Sequence, residues 1–403
     1  MTSTVLTGIS ELWTLDPACD DPARPGTVTD EQVVRDAAVV IEDGLVAWTG
    51  PSAQAPSADA REDLGGRAVL PGWVDSHTHL VFDGDRAGEF EARMAGQAYA
   101  AGGIGVTTSA TRAAADERLR DLVRARIAEA ARGGTTCLET KTGYGLTVAE
   151  ELRAARLASQ LKADGELDEV TFLGAHLVPS EFGGDAEGYV DLVTGEMLEA
   201  VAPYVGWIDV FCESGAFTPA QSERVLRAGA DAGLGLRVHG NQLGASGGVA
   251  LAVELGAASV DHVNHVSAAD IDALAAARES TVATVLPACD LSTRAPLAPA
   301  RELLDAGASV AIASNCNPGT SYTSSMSFCV ATAVLQMHLT LAEAIRAATR
   351  GGAQALHRED VGHLSVGARA DLHVLDAPAA IHLAYRPGMP LTHRVWRAGI
   401  PLP

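Results

Sequence analysis

The chain has 403 residues, 47% of them hydrophobic, which is enough to bury the core of one large domain and a smaller one and excludes a disordered chain. Its formal net charge of −22 argues against a nucleic-acid-binding protein, because that function needs a basic face to neutralise phosphates. No apolar run approaches the ~18 residues of a membrane span, no signal peptide is apparent and the six cysteines form no C-x-x-C pair, so we expect a cytoplasmic protein with reduced thiols.

Both ends of the chain are predicted to be rich in β-strands. Near the amino terminus, AAVVIEDGLVAWTG predicts two short strands joined by a tight turn at Asp43-Gly44. Near the carboxyl terminus, ADLHVLDA and THRVWRAGIPLP predict two more. Neither end is long enough to bury one face of a sheet alone. We therefore expect residues 1–65 and 360–403 to form one discontinuous β-sandwich domain, with residues 66–359 as the larger domain.

The middle of the chain alternates apolar runs with amphipathic helical segments, a pattern typical of parallel βα units. The predicted strands are Trp73–His79, Thr135–Lys141, Val170–His176, Ile208–Glu213, Leu236–Asn241, Ser259–His262, Val282–Leu286 and Ser309–Asn315. Eight such units favour an α/β fold of the (β/α)₈ TIM-like barrel type. The rival is a doubly wound open sheet, which predicts a G-x-G-x-x-G fingerprint after the first strand, and the sequence has none there.

Polar residues gather where these strands end. The first predicted strand ends in His77-Thr78-His79, and residues two apart in a strand share a face, so the two imidazoles could bind one ion. An ordinary strand with two surface histidines explains that pair equally well. However, His176, His239 and His262 lie at or near the ends of other predicted strands, and the carboxyl ends of barrel strands carry function. A site with several imidazoles and few thiols suits Zn²⁺, Fe²⁺ or a similar ion.

The chain resembles a known family, the imidazolonepropionases of the amidohydrolase superfamily. The segments that carry the resemblance span nearly the whole chain in order. They are PGWVDSHTHLVFDGDRAGEFEAR, CLETKTGYGL, FLGAHLVP, DVFCESGAF, RVHGNQLG, VDHVNH, LLDAGASVAIASNCNPGTSYTSSM and GARADLHVLD. The resemblance implies a metal-bearing barrel, a small β-sandwich built from both termini and a cytoplasmic homodimer.

The family's reaction belongs to histidine degradation and opens the cyclic amide of 4-imidazolone-5-propanoate to give N-formimino-L-glutamate. The resemblance places one divalent metal, Zn or Fe, on His77, His79 and His239, where it would activate a water molecule. His262 would lie beside that water or the developing oxyanion. Gln242, where some relatives carry Glu, would face the substrate ring as a hydrogen-bonding group.

On the substrate side, the resemblance pairs Arg86 with the propionate, because a guanidinium fork matches a carboxylate. Tyr144 and His176 resemble further substrate contacts. The segment NPGT resembles the loop that holds the product's carboxylates, through Asn317, Gly319 and Thr320.

Simpler structural explanations compete with some of these roles. Without the motif around it, Arg86 could be a solvated loop charge, and Tyr144 could simply pack. Glu139 and Lys141 could form an ion pair at the barrel mouth rather than act on substrate.

Asn315, at the end of the eighth predicted strand, departs from the family pattern. The family is expected to carry Asp there, as a metal ligand and as the general base that takes the water's proton. An amide offers a neutral oxygen to a metal but has no usable basicity near neutral pH. Three explanations stay open: an engineered substitution, a natural variant that uses His262 as base, and a relative that has lost catalysis and kept binding.

Three functions therefore compete. The leading one is a metal-dependent cyclic-amide hydrolase, in an active or a disabled form. The second is a ligand-binding homologue with weak activity. The third is another amidohydrolase, such as a heterocyclic-base deaminase, but Arg86 and the NPGT segment argue against it, since a neutral base needs no propionate partner.

Overall fold

A computed structural model describes residues 3–21, 26–96 and 103–402. In chain order its strands are β1 (Ser3–Trp13), β2 (Val33–Glu42), β3 (Leu45–Pro51), β4 (Ala60–Pro71), β5 (Trp73–Asp75), β6 (Thr135–Lys141), β7 (Glu169–Ala175), β8 (Trp207–Cys212), β9 (Gly235–Gly240), β10 (Ser259–His262), β11 (Val282–Val285), β12 (Val310–Ile312), β13 (Leu372–Leu375), β14 (Thr392–Arg397) and β15 (Ile400–Pro401). Its α-helices are α1 (Ala87–Met94), α2 (Ile104–Ala113), α3 (Asp116–Arg132), α4 (Val148–Ala163), α5 (Ala186–Leu192), α6 (Leu198–Val201), α7 (Pro219–Asp231), α8 (Gly248–Leu255), α9 (Ala268–Ala276), α10 (Pro287–Thr293), α11 (Ala300–Asp305), α12 (Met326–Gln336), α13 (Leu341–Arg346), α14 (Gly352–Ala355) and α15 (His382–Tyr385).

Strands from both termini form one sheet, in the order β15-β14-β13-β4-β1-β2-β3. Strand β13 runs antiparallel to β4, with His373 opposite Leu70, so the two ends of the chain are joined as predicted. The β2–β3 hairpin turns at Asp43 and Gly44, whose φ angles of 51° and 81° suit an Asp-Gly turn. The limits of the two domains stay a prediction, and β4 continues in this sheet beyond residue 65.

Strands β5 to β12 form the second sheet, in which each strand is parallel to the next one along the chain. Most of the residues in these strands are buried, because helices cover the outside of the sheet. Helix α7 shows how the sequence starts such a helix: Thr218 and Gln221 form a reciprocal capping box and Pro219 fills the first helical position. The predicted (β/α)₈ barrel is confirmed.

Strands β5 and β12 meet through hydrogen bonds beyond their ends. The amide of Asn315 donates to the carbonyl of His77 at 3.0 Å, and the amide of His79 donates to the carbonyl of Cys316 at 2.9 Å. The barrel is therefore closed at its carboxyl end, beside the candidate site.

Strands β5 and β12 are both shorter than the sequence predicted, since β5 ends at Asp75 and β12 at Ile312. The prediction that the His77 and His79 pair lies inside a strand is therefore wrong. Between them, Thr78 donates its hydroxyl to the Glu139 carbonyl at 2.6 Å and its amide to the Glu139 carboxylate at 3.1 Å, in place of regular ladder bonds.

No helix in the described ranges is both long and apolar enough to cross a membrane.

Candidate metal centre and substrate pocket

The predicted site residues come together at the carboxyl end of the barrel, around one pocket. His77 lies at its base and is fully buried, and Gly319 packs against Arg86 at its wall. The residues that line the pocket are His79, Arg86, Ile104, Tyr144, His176, Leu177, Phe211, His239, Gln242, His262, Asn315, Asn317 and Thr320. The sequence therefore identified most of the pocket lining, while Ile104, Leu177 and Phe211 were not anticipated.

Four imidazoles converge at the base of the pocket. The Nε2 atom of His79 lies 3.3 Å from that of His77 and 3.4 Å from that of His239. Ligand nitrogens that surround a tetrahedral Zn²⁺ at ~2.0–2.1 Å are about 3.3 Å apart, so this spacing fits one ion. Nitrogens of His77, His239 and His262 also lie within 4.8 Å of one another. The donor set therefore suits a divalent metal ion, with His262 beside it.

Two buried aspartates contact the far nitrogens of these ligands. The Nδ1 of His77 lies 2.6 Å from Oδ2 of Asp261, a hydrogen bond that turns Nε2 towards the pocket. The Nδ1 of His239 lies 3.0 Å from Oδ2 of Asp209, at ion-pair distance but without hydrogen-bond geometry. Carboxylates behind metal-binding histidines fix the ring orientation and raise ligand basicity.

Burial favours the neutral form of His77, His79 and His262, the form in which an imidazole can bind a metal. It lowers the pKa of His77 and of His79 well below the usual value, and neighbouring positive groups lower them further. Burial, followed by the proximity of His239, also lowers the pKa of His262 to about 3 and that of His176 to about 4.

Lys141 lies beneath the histidines and is fully buried. Its Nζ is 3.0 Å from a carboxylate oxygen of Glu139 and 3.0 Å from one of Asp209. Burial opposes its charge, but the two carboxylates raise the pKa of Lys141 above its usual value. The Glu139–Lys141 ion pair proposed from the sequence is therefore present, deep in the barrel, and it extends to the aspartate behind His239.

Arg86 is buried at the pocket wall and is not a solvated loop charge. Its Nε donates to Oε2 of Glu89 and its Nη2 to Oε1 of Glu89, both at 2.8 Å. Tyr144, also buried, lies edge-on to Phe82 with ring centroids 5.9 Å apart. It therefore packs and lines the pocket at the same time.

His176 and Gln242 also line the pocket. The Nδ1 of His176 is 2.9 Å from the carbonyl oxygen of Gly143. The amide of Gln242 donates to Oε2 of Glu213 at 2.8 Å, and its side-chain Nε2 reaches the sulfur of Cys289 at 3.9 Å. Glu213 thus fixes the backbone that presents Gln242.

The NPGT loop is organised by Asn317. Its Oδ1 accepts from the amides of Gly319 and Thr320, both at 2.8 Å, and its Nδ2 donates to the Asn315 carbonyl at 2.6 Å. In this conformation the Asn317 side chain already occupies the two backbone donors. Carboxylate binding by this loop stays a prediction.

Asn315 is buried at the pocket with a left-handed φ of 52°. Its Oδ1 is buried without a hydrogen-bond partner among the described residues. A buried, unpaired oxygen is costly, and a bound ion is one of the partners that can complete its bonding. His262, at φ 84°, is also held in a strained backbone conformation, which is common at functional sites.

Sequence reasoning missed the carboxylates that support this site, Asp209, Asp261 and Glu89. A usable signal existed for the first two, because each is a carboxylate inside a predicted barrel strand and directly follows an apolar residue, Ile208 in one strand and Val260 in the other. Glu89 gave no such signal, since it stands among several charges in AGEFEARM.

Comparison with known proteins agrees with this fold and site. The amidohydrolase family matches residues 68–395, so the chain is an amidohydrolase and a hydrolytic enzyme. Proteins named imidazolonepropionase are similar over the full length. The one from Micrococcus luteus is 66% identical over 99% of both chains, and the one from Salinispora arenicola is 56% identical over 100% of this chain and 99% of that one. The chain belongs to the imidazolonepropionase family.

Solved structures show the same fold at low sequence identity. A triazine hydrolase variant aligns with a TM-score of 0.74 at 20% identity, covering 100% of this chain and 95% of that one. An adenosine deaminase from Xanthomonas campestris, solved with bound zinc, aligns with a TM-score of 0.68 at 20% identity, covering 99% of this chain and 92% of that one.

Proposed function

We propose that this enzyme opens 4-imidazolone-5-propanoate to N-formimino-L-glutamate, with one divalent metal ion held by His77, His79 and His239. One observation carries the proposal. The Nε2 atom of His79 lies 3.3 Å from that of His77 and 3.4 Å from that of His239, at a pocket whose wall contains Arg86. The names of the full-length relatives support the choice of substrate. Zinc and iron both suit an imidazole ligand set.

When bound, the ion would supply a Lewis acid that polarises the ring carbonyl and lowers the pKa of a water molecule. The protein's part is to hold the ligands and the substrate. Asp261 fixes the ring of His77 and Asp209 lies behind His239, so that the Nε2 lone pairs face the pocket. His262, whose ring centroid lies 5.4 Å from that of His239, would hydrogen-bond the water or the carbonyl oxygen.

Substrate orientation would depend on the pocket walls. Arg86 would bind the propionate, since the pocket offers no other guanidinium among the described lining residues. Gln242 would hydrogen-bond the imidazolone ring, and Tyr144 and His176 would enclose it. Asn317, Gly319 and Thr320 would bind a carboxylate of the product after the loop rearranges.

Asn315 would limit the rate. Its oxygen would offer the ion a neutral ligand, but its amide cannot take a proton, and loss of a general base typically costs about 10²–10⁴ in rate. We therefore propose that this chain turns over slowly relative to the same chain with an aspartate at this position.

The test is to follow loss of 4-imidazolone-5-propanoate with the chain and with Asn315→Asp, each with metal analysis and each after chelation and metal re-addition. Metal-dependent ring opening by either protein supports the proposal. Absence of ring opening in both, with metal bound, contradicts it. The homodimer and the cytoplasmic location stay predictions.

A further inference from the structure

We propose that Glu89 is a positioning residue that fixes Arg86 so that the pocket accepts one carboxylate, an inference that rests on the proposed role of Arg86. Glu89 lies one helical turn after Arg86, at the start of α1, and accepts from both Nε and Nη2 of the guanidinium at 2.8 Å. Nη1 takes no part in these bonds. Glu89 therefore binds the edge of the guanidinium formed by Nε and Nη2, and the edge that carries Nη1 remains for a ligand.

Two glycines enclose this ion pair. A Cβ at Gly103 would come closer than 3.0 Å to Oε2 of Glu89 and to Nη2 of Arg86. A Cβ at Gly319, in the NPGT loop, would come closer than 3.0 Å to Nη1 and to Cζ of Arg86. Real Cβ atoms do not approach so closely, so both positions need glycine for the pair to keep its place. Gly103 therefore packs against the edge of the guanidinium that Glu89 binds, and Gly319 packs beside Nη1 and Cζ.

Arg93 extends the cluster by one turn of α1. Its Nη2 donates to the carbonyl of Gly319 at 3.0 Å, and its Nη1 lies 3.7 Å from Oε1 of Glu89. Glu89 thus lies close to two guanidinium groups. No Asp or Glu is among the described residues that line the pocket. In a chain of net charge −22, Arg86 is therefore the cation of this lining that can pair with a ligand carboxylate.

A different role would be competition, in which Glu89 occupies the place of the substrate carboxylate. The geometry favours positioning, because Arg86 lines the pocket and Glu89 does not. The two roles predict opposite effects of a substitution that withdraws the carboxylate: affinity falls if Glu89 positions Arg86 and rises if Glu89 competes for it.

The test uses two ligands that share an imidazole ring, 3-(imidazol-4-yl)propanoate and the neutral 3-(imidazol-4-yl)propan-1-ol. Calorimetry on the zinc-loaded chain gives the dissociation constant of each ligand. Because both ligands carry the same ring, the ratio of the two constants removes the contribution of the ring and the metal to affinity. Glu89→Asp keeps the charge and shortens the reach, and we expect it to reduce the preference for the carboxylate about tenfold, as loss of one charge-assisted hydrogen bond would. Gly103→Ala should do the same by displacing the pair.

The matched control is Glu91→Asp, since Glu91 lies exposed on the same helix. It should leave the preference unchanged. If the original chain shows no preference for the carboxylate, the proposed role of Arg86 fails. A second outcome would contradict the positioning role of Glu89 and leave the proposed function standing. In that outcome the original chain prefers the carboxylate, Arg86→Gln abolishes the preference, and Glu89→Asp keeps or increases it.

Discussion

The backbone amide of Asn315 donates to the carbonyl of His77 at 3.0 Å, which joins the last barrel segment to the first at the base of the pocket. The residue that carries an amide in place of the expected carboxylate is thus bonded directly to a proposed metal ligand. A change between Asn and Asp at this position leaves that backbone bond intact. Its effect should therefore fall on chemistry more than on the fold.

Asp261 should tune metal affinity through His77. The hydrogen bond of 2.6 Å between Oδ2 of Asp261 and Nδ1 of His77 fixes the ring, and loss of such a partner typically weakens metal binding about 10–100-fold. We expect Asp261→Asn to lower zinc affinity by that factor in competition with a chelator. Asp272→Asn, at an exposed site on α9, should leave the affinity unchanged. Equal affinities for the original chain and Asp261→Asn would contradict the role of this carboxylate.

Lys141 should matter for stability. Its Nζ is 3.0 Å from Glu139 and 3.0 Å from Asp209, and Lys141→Met would leave two buried carboxylates without their cation. Breaking a buried pair in this way costs about 3–5 kcal/mol of the free energy of unfolding, measured by urea denaturation. Lys162 is the matched control, because it pairs with Glu169 while 43% exposed, and its replacement by Met should cost less than about 1 kcal/mol. Similar losses for both variants would argue against the buried network.

His373, between the two sheets, should make stability depend on pH. Burial lowers its pKa to about 3, from an ordinary value of 6.5, so below pH 6.5 the unfolded chain binds a proton that the folded chain does not. The contribution of His373 to the free energy of unfolding is therefore fully present above pH 6.5. It decreases by ~1.4 kcal/mol for each unit that the pH is lowered from 6.5 towards 3. We expect the free energy of unfolding of His373→Gln to fall less steeply between pH 6.5 and 5. Parallel curves for the two proteins would contradict this account.

Much of the architecture followed from local sequence patterns. The Asp43-Gly44 turn and the alternation of strands and helices depend on neighbouring residues, so the hairpin and the barrel could be predicted. The contact between Asp261 and His77 joins residues 184 positions apart, and no local pattern encodes it. The early end of β5 depends likewise on the bonds from Thr78 to Glu139, which exist only once the barrel has formed.

The resemblance identified Arg86 but not its surroundings. Glu89 follows it by three residues, yet the sequence does not reveal that two glycines from other segments, Gly103 and Gly319, press on the pair. Such packing depends on where α2 and the NPGT loop arrive in space. The chemistry of individual residues was therefore predictable, whereas their support had to be seen in the structure.

We propose that this metal-dependent hydrolase lacks only the group that takes the proton from the attacking water. The most direct measurement is kcat for 4-imidazolone-5-propanoate with the chain and with Asn315→Asp, at equal metal content. The account predicts an increase of about 10²–10⁴ in the variant, because a carboxylate restores a general base. Equal kcat values at equal metal content would contradict it.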